Sequence, residues 1–222
     1  MNAGLAELIN SEYHGLLSEE QVQQQLVFVD ELMRWNRKIN LTSVDSENEA
    51  VIKHVLDSLK AEHHIDNGQY VIDVGSGGGV PVLPLAIARP HANFISVESV
   101  GKKINFQQHV KRKLGLTNVR FIQKRVEDLR CGIDVPGGGG DVVVSRALAT
   151  LDRLVQWVAP ILKPGGLLLA FKGPTMQQEI KSAGECFSDF AQGCQFEEYQ
   201  LPLTPGKRYL LVARKKPAEN NR

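Results

Sequence analysis

No run of apolar residues in the 222-residue chain approaches the roughly 20 needed to cross a bilayer. Cysteine is scarce: Cys131, Cys186 and Cys194 are odd in number and match no metal-ligand or redox spacing. A disulfide scaffold and a zinc ribbon are thereby set aside, and a reduced, cytoplasmic protein is expected. Met1 to Gly15 holds neither a basic leader nor an apolar core, so no export signal is expected. Charge of one sign is missing too. With 26 Lys and Arg against 25 Asp and Glu, the net charge of +1 gives no bulk pull towards nucleic acid. Any such partner must be argued from where the charges cluster. What is present is the composition of an ordinary globular protein, 42% hydrophobic and 23% charged. The length suits one domain with a small extension, burying roughly 70% of its unfolded surface.

Ser18-Glu-Glu-Gln21 is a capping box, and Val22, Leu26, Val29, Leu32 and Met33 come after it at helical spacing. An amphipathic helix is predicted over 18–38, and a second carries Val51, Ile52, Val55, Leu56 and Leu59. Neither is stable alone, so both should pack on the downstream domain. From about residue 70 the pattern becomes short apolar runs alternating with helices. Strands are predicted at Tyr70–Val74, Asn93–Val97, Val119–Gln123, Asp141–Ser145, Leu167–Phe171 and Tyr209–Ala213. Helices fit at about 81–89, 101–114, 151–162 and 175–190. Runs such as Val142-Val-Val144 suit strands buried on both faces, and alternating βα units imply a doubly wound parallel sheet. Residues 1–66 are assigned to a helical extension, 67–216 to the α/β domain and 217–222 to a polar tail. Pro136-Gly-Gly-Gly-Gly140 is a surface loop, and Lys163 with Pro164-Gly-Gly166 a turn.

The stretch Val71-Ile-Asp-Val-Gly75-Ser-Gly77-Gly-Gly79-Val80-Pro81 reads as strand, glycine loop and helix start. A P-loop is excluded, because no Gly-Lys-Ser/Thr comes after the glycines. The dinucleotide pattern G-x-G-x-x-G finds Gly75 and Gly77 but meets Val80 at its third position, where glycine permits close helix–strand packing. Pro81 at the helix start removes one further donor for a phosphate. S-adenosylmethionine has no phosphates and carries cationic ammonium and sulfonium groups. Asp73, two residues before the first glycine, suits it by orienting the loop or attracting the ammonium through water. Glu98 ends the second strand, where a carboxylate accepts ribose hydroxyls, although NAD enzymes place an acid similarly. A tight turn without ligand is the plain alternative.

With those residues the chain resembles the bacterial 16S ribosomal RNA (guanine-N7) methyltransferases, the glucose-inhibited division protein B family. The likeness spans about residues 18–216. It runs through Trp35-Asn36 with Asn40-Leu-Thr42, His54-Val-Leu-Asp57-Ser58-Leu59, Asp73-Val-Gly-Ser-Gly77 and Pro81 with Leu83-Pro84-Leu85. It continues through Glu98-Ser99, Arg125-Val-Glu127, Ser145-Arg146-Ala147 and Lys172-Gly173. The resemblance implies a Rossmann-like methyltransferase domain with a helical N-terminal extension, S-adenosylmethionine as donor and a guanine of 16S ribosomal RNA, or the small subunit, as acceptor. No membrane and no metal are expected, and the chain is taken as a monomer. By motif position Gly75, Gly77 and Val80 would contact the cofactor, Glu98 its ribose, and Val126 and Glu127 its adenine, with Arg146 closing the site beneath the methyl group. Family members place an aromatic or leucine and then Pro-Gly after the loop. Here Val82 stands for that glycine, which is expected to alter the fit and not the chemistry.

Guanine N7 carries a free lone pair, so its attack on a sulfonium methyl requires no proton removal. Proximity and alignment alone can contribute about 7–11 kcal/mol to such a step. Neither an Asn/Asp-Pro-Pro-aromatic motif nor a Pro-Cys nucleophile comes after the fourth strand; Ser145-Arg146-Ala147 stands there. Arginine is no base, but it positions a carboxylate or a guanine edge, so Arg146 is read as a positioning residue and no catalytic residue is certain. A structural ion pair is the alternative. Substrate contacts are expected from Lys172 and Arg208, near strand ends. Further candidates are Arg34-Trp-Asn-Arg37-Lys38, Lys102-Lys103, Lys111-Arg-Lys113, Lys124-Arg125 and Lys207, each equally readable as solvated surface. His54 and Asp57, one turn apart, are placed to hydrogen-bond and tie the extension to the sheet. Trp35 reads as a packing anchor and His63-His64 as solvated. A small-molecule or protein methyltransferase, a ribosome-assembly factor with a vestigial pocket, and a nicotinamide enzyme remain as competing readings.

Overall fold

The computed structural model describes residues 3–218. Helices α1 (Ala3–Glu12) and α2 (Glu19–Asn36) open the chain. Ser18 caps α2, accepting from the Gln21 N–H at 3.2 Å while its own N–H donates to Gln21 Oε1 at 2.9 Å. A continuous helical segment comes next: α3 (Glu47–Ala50), a π-helical turn (Val51–Leu56) and α4 (Asp57–Leu59). A 3₁₀ turn (Glu62–His64) then leads into the α/β region.

That region runs β1 (Tyr70–Val74), α5 (Val82–Ala88), β2 (Asn93–Glu98), α6 (Gly101–Leu114), β3 (Val119–Gln123) and a 3₁₀ turn (Val126–Asp128). It continues with β4 (Gly140–Arg146), α7 (Leu151–Val158), β5 (Leu162–Lys172), α8 (Met176–Phe190), β6 (Ala191–Tyr199) and β7 (Arg208–Lys215). The seven strands form one sheet in the order β3-β2-β1-β4-β5-β7-β6. Strands β1 to β5 are parallel, as expected. The doubly wound parallel sheet carries an antiparallel edge, because β7 runs antiparallel to both β5 and β6. No helix separates β6 from β7, and a direct connection between neighbouring strands makes them antiparallel. Strand β6 was not predicted: Gln192 to Phe196 are all exposed, so it lacks the alternation that marks a half-buried strand. The predicted Lys163–Gly166 turn lies within β5, where the register jumps from Gly140↔Leu162 to Val142↔Leu167. Strand β7 reaches Lys215, and residues 219–222 of the expected tail lie outside the described residues.

Side chains of the parallel strands alternate between two cores, the period-two geometry of a strand. Val71, Phe94, Val142, Val144 and Leu169 face one core together with residues of α2, the 47–59 segment and α5. Ile72, Ile95, Val143 and Leu168 face the other, under α7 and α8. The extension therefore shares its core with the sheet. Where α2 meets α6, the fully buried Glu31 carboxylate receives Arg34, Lys113 and His109. Burial alone would raise its pKa, but the hydrogen bonds from Lys113, His109 and Arg34 outweigh it and hold the group below its ordinary value.

Candidate active site

The order places β1 beside β4 at the point where the winding reverses, which is where open α/β sheets form a crevice beyond their carboxyl ends. The loop leaving β1 crosses the end of β2: the Gly75 and Ser76 N–H groups donate to Val97 O at 2.9 and 3.1 Å. Gly75, Gly77 and Gly79 have φ of 72°, 55° and 79°, in the left-handed region that favours glycine. Their surroundings differ. A Cβ on Gly75 would overlap Leu148 Cδ1, and one on Gly79 would overlap Leu83 Cδ1, but one on Gly77 would meet nothing within 4 Å. Close packing explains Gly75 and Gly79, whereas Gly77 lines open space.

Beneath the loop sits a buried polar cluster that sequence reasoning missed. Ser76 Oγ and Ser96 Oγ lie 2.6 Å apart, and Gln107 Nε2 donates to Ser76 Oγ at 2.9 Å and to Gly77 O at 2.8 Å. The signal was available: Gln107 stands between Ile104 and Val110 on the buried stripe of α6, where an amide must find partners. Glu98, 7% exposed, accepts from the Gly77 N–H at 3.0 Å and the Val100 N–H at 2.8 Å, so the carboxylate and the open glycine are adjacent. Asp73 is fully buried. Its Oδ2 accepts from the Val82 N–H at 3.1 Å at the start of α5, and its Oδ1 has no partner among the described residues. Burial pushes its pKa up to about 8, against the Val82 hydrogen bond and the charge of Arg146, while Glu98 adds to the rise. Val82, which replaces the usual glycine, is fully buried and supplies that N–H. Val80, 7% exposed, also lies in the core.

Arg146, at the end of β4, reaches across to the extension. It donates to Lys53 O at 2.6 Å, to Asp57 Oδ2 at 3.2 Å and to His54 Nδ1 at 2.9 Å. The expected pairing of His54 with Asp57 is thus replaced by a shared arginine. Burial first, and then Arg146, push the His54 pKa down to about 3, so the ring is neutral. With Nδ1 accepting from Arg146, the proton is on Nε2, which lies 2.7 Å from Thr42 Oγ1. Asn36 holds that corner, taking the Leu41 and Thr42 N–H groups at 2.8 and 3.0 Å. Tyr199 donates to Asp57 Oδ1 at 2.7 Å. These contacts leave two of the five guanidinium N–H donors unused for a ligand.

The remaining predicted residues gather unevenly. Val126 is buried on its 3₁₀ turn after β3 and Glu127 is exposed beside it. Lys172, at the carboxyl end of β5, bonds Glu179 at 2.6 Å and Ala149 O at 3.3 Å, and its side chain is only 9% exposed. Arg208 lies beside it because β7 is antiparallel, pairing Tyr209 with Lys172, and its guanidinium is 3.7 Å from Asp57. Trp35 packs on Phe106 and His109, as its reading as an anchor requires. Of the basic clusters, Arg34 and Lys113 are tied to Glu31, Lys124 to Asp134 and Lys207 to Glu198. His63 and His64 are not simply solvated: both rings turn to Glu197.

A family model described as "rRNA small subunit methyltransferase G" matches residues 21–207. The "Ribosomal RNA small subunit methyltransferase G" of Photobacterium profundum is 37% identical over 196 residues, spanning 88% of this chain and 90% of that protein. That of Syntrophotalea carbinolica is 39% identical over 208 residues, spanning 91% and 94%. Among solved structures, M. jannaschii TYW2 in complex with AdoMet aligns with a TM-score of 0.58 at 14% identity, over 81% of this chain and 78% of that one; at that identity the likeness is one of fold. The family match covers the glycine loop, the polar corner around Arg146 and the strands between them, so the chain belongs to the rRNA small subunit methyltransferase G family.

Proposed function

We propose that this protein transfers a methyl group from S-adenosylmethionine to N7 of a guanine in 16S ribosomal RNA. The observation that carries it is the meeting, at the sheet's switch point, of an open glycine, an almost buried carboxylate and a buried carboxylate oxygen without a partner. The residues fit this cofactor. Asp73 Oδ1 is a buried carboxyl oxygen with spare hydrogen-bonding capacity for the cofactor or a bridging water, and a cationic group beside it would favour the ionised acid. Gly77 leaves room for close approach, and no lysine succeeds the loop to meet phosphates. When bound, the cofactor supplies an electrophilic methyl on sulfonium sulfur.

Gly75, Gly77 and Val80 would form the loop that cradles it, and Glu98, beside the open Gly77, would accept its ribose hydroxyls. Val126 and Glu127, on the turn after β3, would flank its adenine. Arg146, anchored on its inner side by His54, Asp57 and the Lys53 carbonyl, directs its free N–H groups at a ligand carboxylate or the guanine edge. Lys172 and Arg208, side by side at the same sheet end, receive RNA phosphates. Because N7 has no proton to lose, no general base is needed, and alignment is the chain's contribution. We further assign residues 1–66 as an extension, 67–216 as the methyltransferase domain and 217–222 as a tail. The enzyme acts as a monomer in the cytoplasm, and among the described residues no helix is long and apolar enough to cross a membrane.

The test is to incubate the protein with labelled S-adenosylmethionine and unmodified small subunits, and then to treat the RNA with borohydride and aniline. Label in 16S RNA with chain scission at one guanine is expected. Label without scission, or in protein, refutes N7 of guanine as the acceptor.

A further inference from the structure

The 3₁₀ turn Glu62–His64 and the edge strand β6 meet through three ligand-type side chains, two adjacent histidines and a glutamate more than 130 residues further along the sequence. His63, His64 and Glu197 each present one ligand atom, and the three atoms lie within 4.8 Å of one another. His63 Nε2 is 3.4 Å from Glu197 and His64 Nε2 is 2.8 Å from it, with the imidazole centroids 4.0 Å apart. We propose that His63, His64 and Glu197 form a binding site for a divalent transition-metal ion that ties the N-terminal extension to the antiparallel edge of the sheet.

Hydrogen bonding alone accounts poorly for this convergence. At 3.4 Å the His63 contact is long for an N–H···O bond, and two adjacent imidazoles aimed at one carboxylate repel if both are protonated. A tetrahedral ion with Zn–N and Zn–O bonds of about 2.0–2.1 Å sets neighbouring ligand atoms about 3.3 Å apart. The His63–Glu197 separation already matches that edge. The His64 contact need open only by about half an ångström, within reach of a rotation about the glutamate side chain. Two neighbouring carboxylates are engaged, Glu62 with Arg89 at 2.5 Å and Glu198 with Lys207 at 2.7 Å, whereas Glu197 has only the two histidines as charged partners among the described residues.

Two imidazoles and one carboxylate select zinc, nickel, cobalt or copper over magnesium or calcium, which take oxygen ligands. With three protein ligands a fourth position is left to water. His63 and Glu197 also line a cleft of about 470 Å³ whose wall includes Glu12 and His14. Strands β4, β5 and β7 stand between β6 and the glycine loop of β1, so the ion takes no part in methyl transfer. It serves as a structural clamp.

Tag-free full-length protein titrated with cobalt(II) is expected to bind one ion, with the visible absorption of a four-coordinate nitrogen–oxygen site and a raised Tm. His63→Gln and Glu197→Gln should each weaken binding by about tenfold or more, equivalent to about 1.4 kcal/mol. Because the His63 side chain is 56% exposed, its replacement tests the site without threatening the fold. Absence of saturable binding, affinity undiminished in His63→Gln, or a thiolate-to-cobalt band placing the ion on Cys131 or Cys194, overturns the proposal.

Discussion

Gly75 and Gly77 are two residues apart in one loop, yet different physics holds each in place. Both carry a positive φ, so alanine at either incurs backbone strain of about 1–2 kcal/mol. At Gly75 the added methyl also strikes Leu148, which must move; at Gly77 it enters open space. Gly75→Ala is therefore expected to lower the unfolding free energy by more than Gly77→Ala, measured in urea. Gly77→Ala should instead lose S-adenosylmethionine affinity out of proportion to its stability, measured by calorimetry. Equal losses of affinity and stability at Gly77 would remove it from the cofactor's surface. The sequence marks both positions as glycine but not the difference, because Leu148 arrives from the far side of β4, 73 residues away.

At the scale of elements, the joints between extension and sheet are made by polar side chains that serve two elements at once. Gln21 closes the capping box of α2, and its Nε2 also donates to Ile87 O at 2.8 Å and Ala88 O at 3.3 Å, covering the end of α5. Ser18→Ala removes one cap bond and should cost about 1 kcal/mol. Gln21→Ala also uncovers the α5 carbonyls and should cost more, by thermal or urea unfolding; a smaller loss than for Ser18→Ala would show those carbonyls to be satisfied by water. Arg146 is the second joint. Its removal leaves Asp57, 1% exposed, with Arg208 at 3.7 Å as its one remaining cationic partner among the described residues. Arg146→Ala is expected to destabilise by about 3–5 kcal/mol. Adding Asp57→Asn should restore part of that loss, because the buried charge goes with its partner. No recovery in the double variant would deny the coupling. The capping box was legible because it is local in sequence. The shared arginine was not, because Arg146 and His54 are 92 residues apart.

For the whole molecule, two buried groups of opposite habit shape stability against pH. Asp73 titrates near 8 when folded against 3.8 in its ordinary state, so it favours the folded protein at low pH and that contribution is lost as pH rises towards 8. His54 titrates near 3 against 6.5, so its contribution is full above 6.5 and is lost as pH falls towards 3. Between about pH 4 and 6.5 the two slopes oppose and cancel, each at about 1.4 kcal/mol per pH unit. Above pH 6.5 the His54 contribution is complete, and of these two groups only Asp73 still changes, lowering stability. Asp73→Asn should show stability rising with pH up to 6.5 and then level; His54→Gln should show it falling across the range from 4 to 8. Urea midpoints measured at a series of pH values decide it, and variants whose profiles match the parent chain would dismiss both groups as the source.

Local signals carried a long way here. Hydrophobic period, the capping box and the strand–glycine–helix turn are written in neighbouring residues, so the five parallel strands, the helices between them and the positions of Asp73, Gly75 and Glu98 are set by the chain alone. Strand β6 escaped because exposure on the sheet's edge erases the alternation that identifies a strand. The antiparallel pairing of β7 with β5 brought Arg208 beside Lys172, and the pairing of β6 with β7 brought Glu197 beside His63 and His64. Contacts of that kind depend on which strands become neighbours and in which direction they run. That choice is made by the packing of two cores on one sheet, and no stretch of sequence contains it.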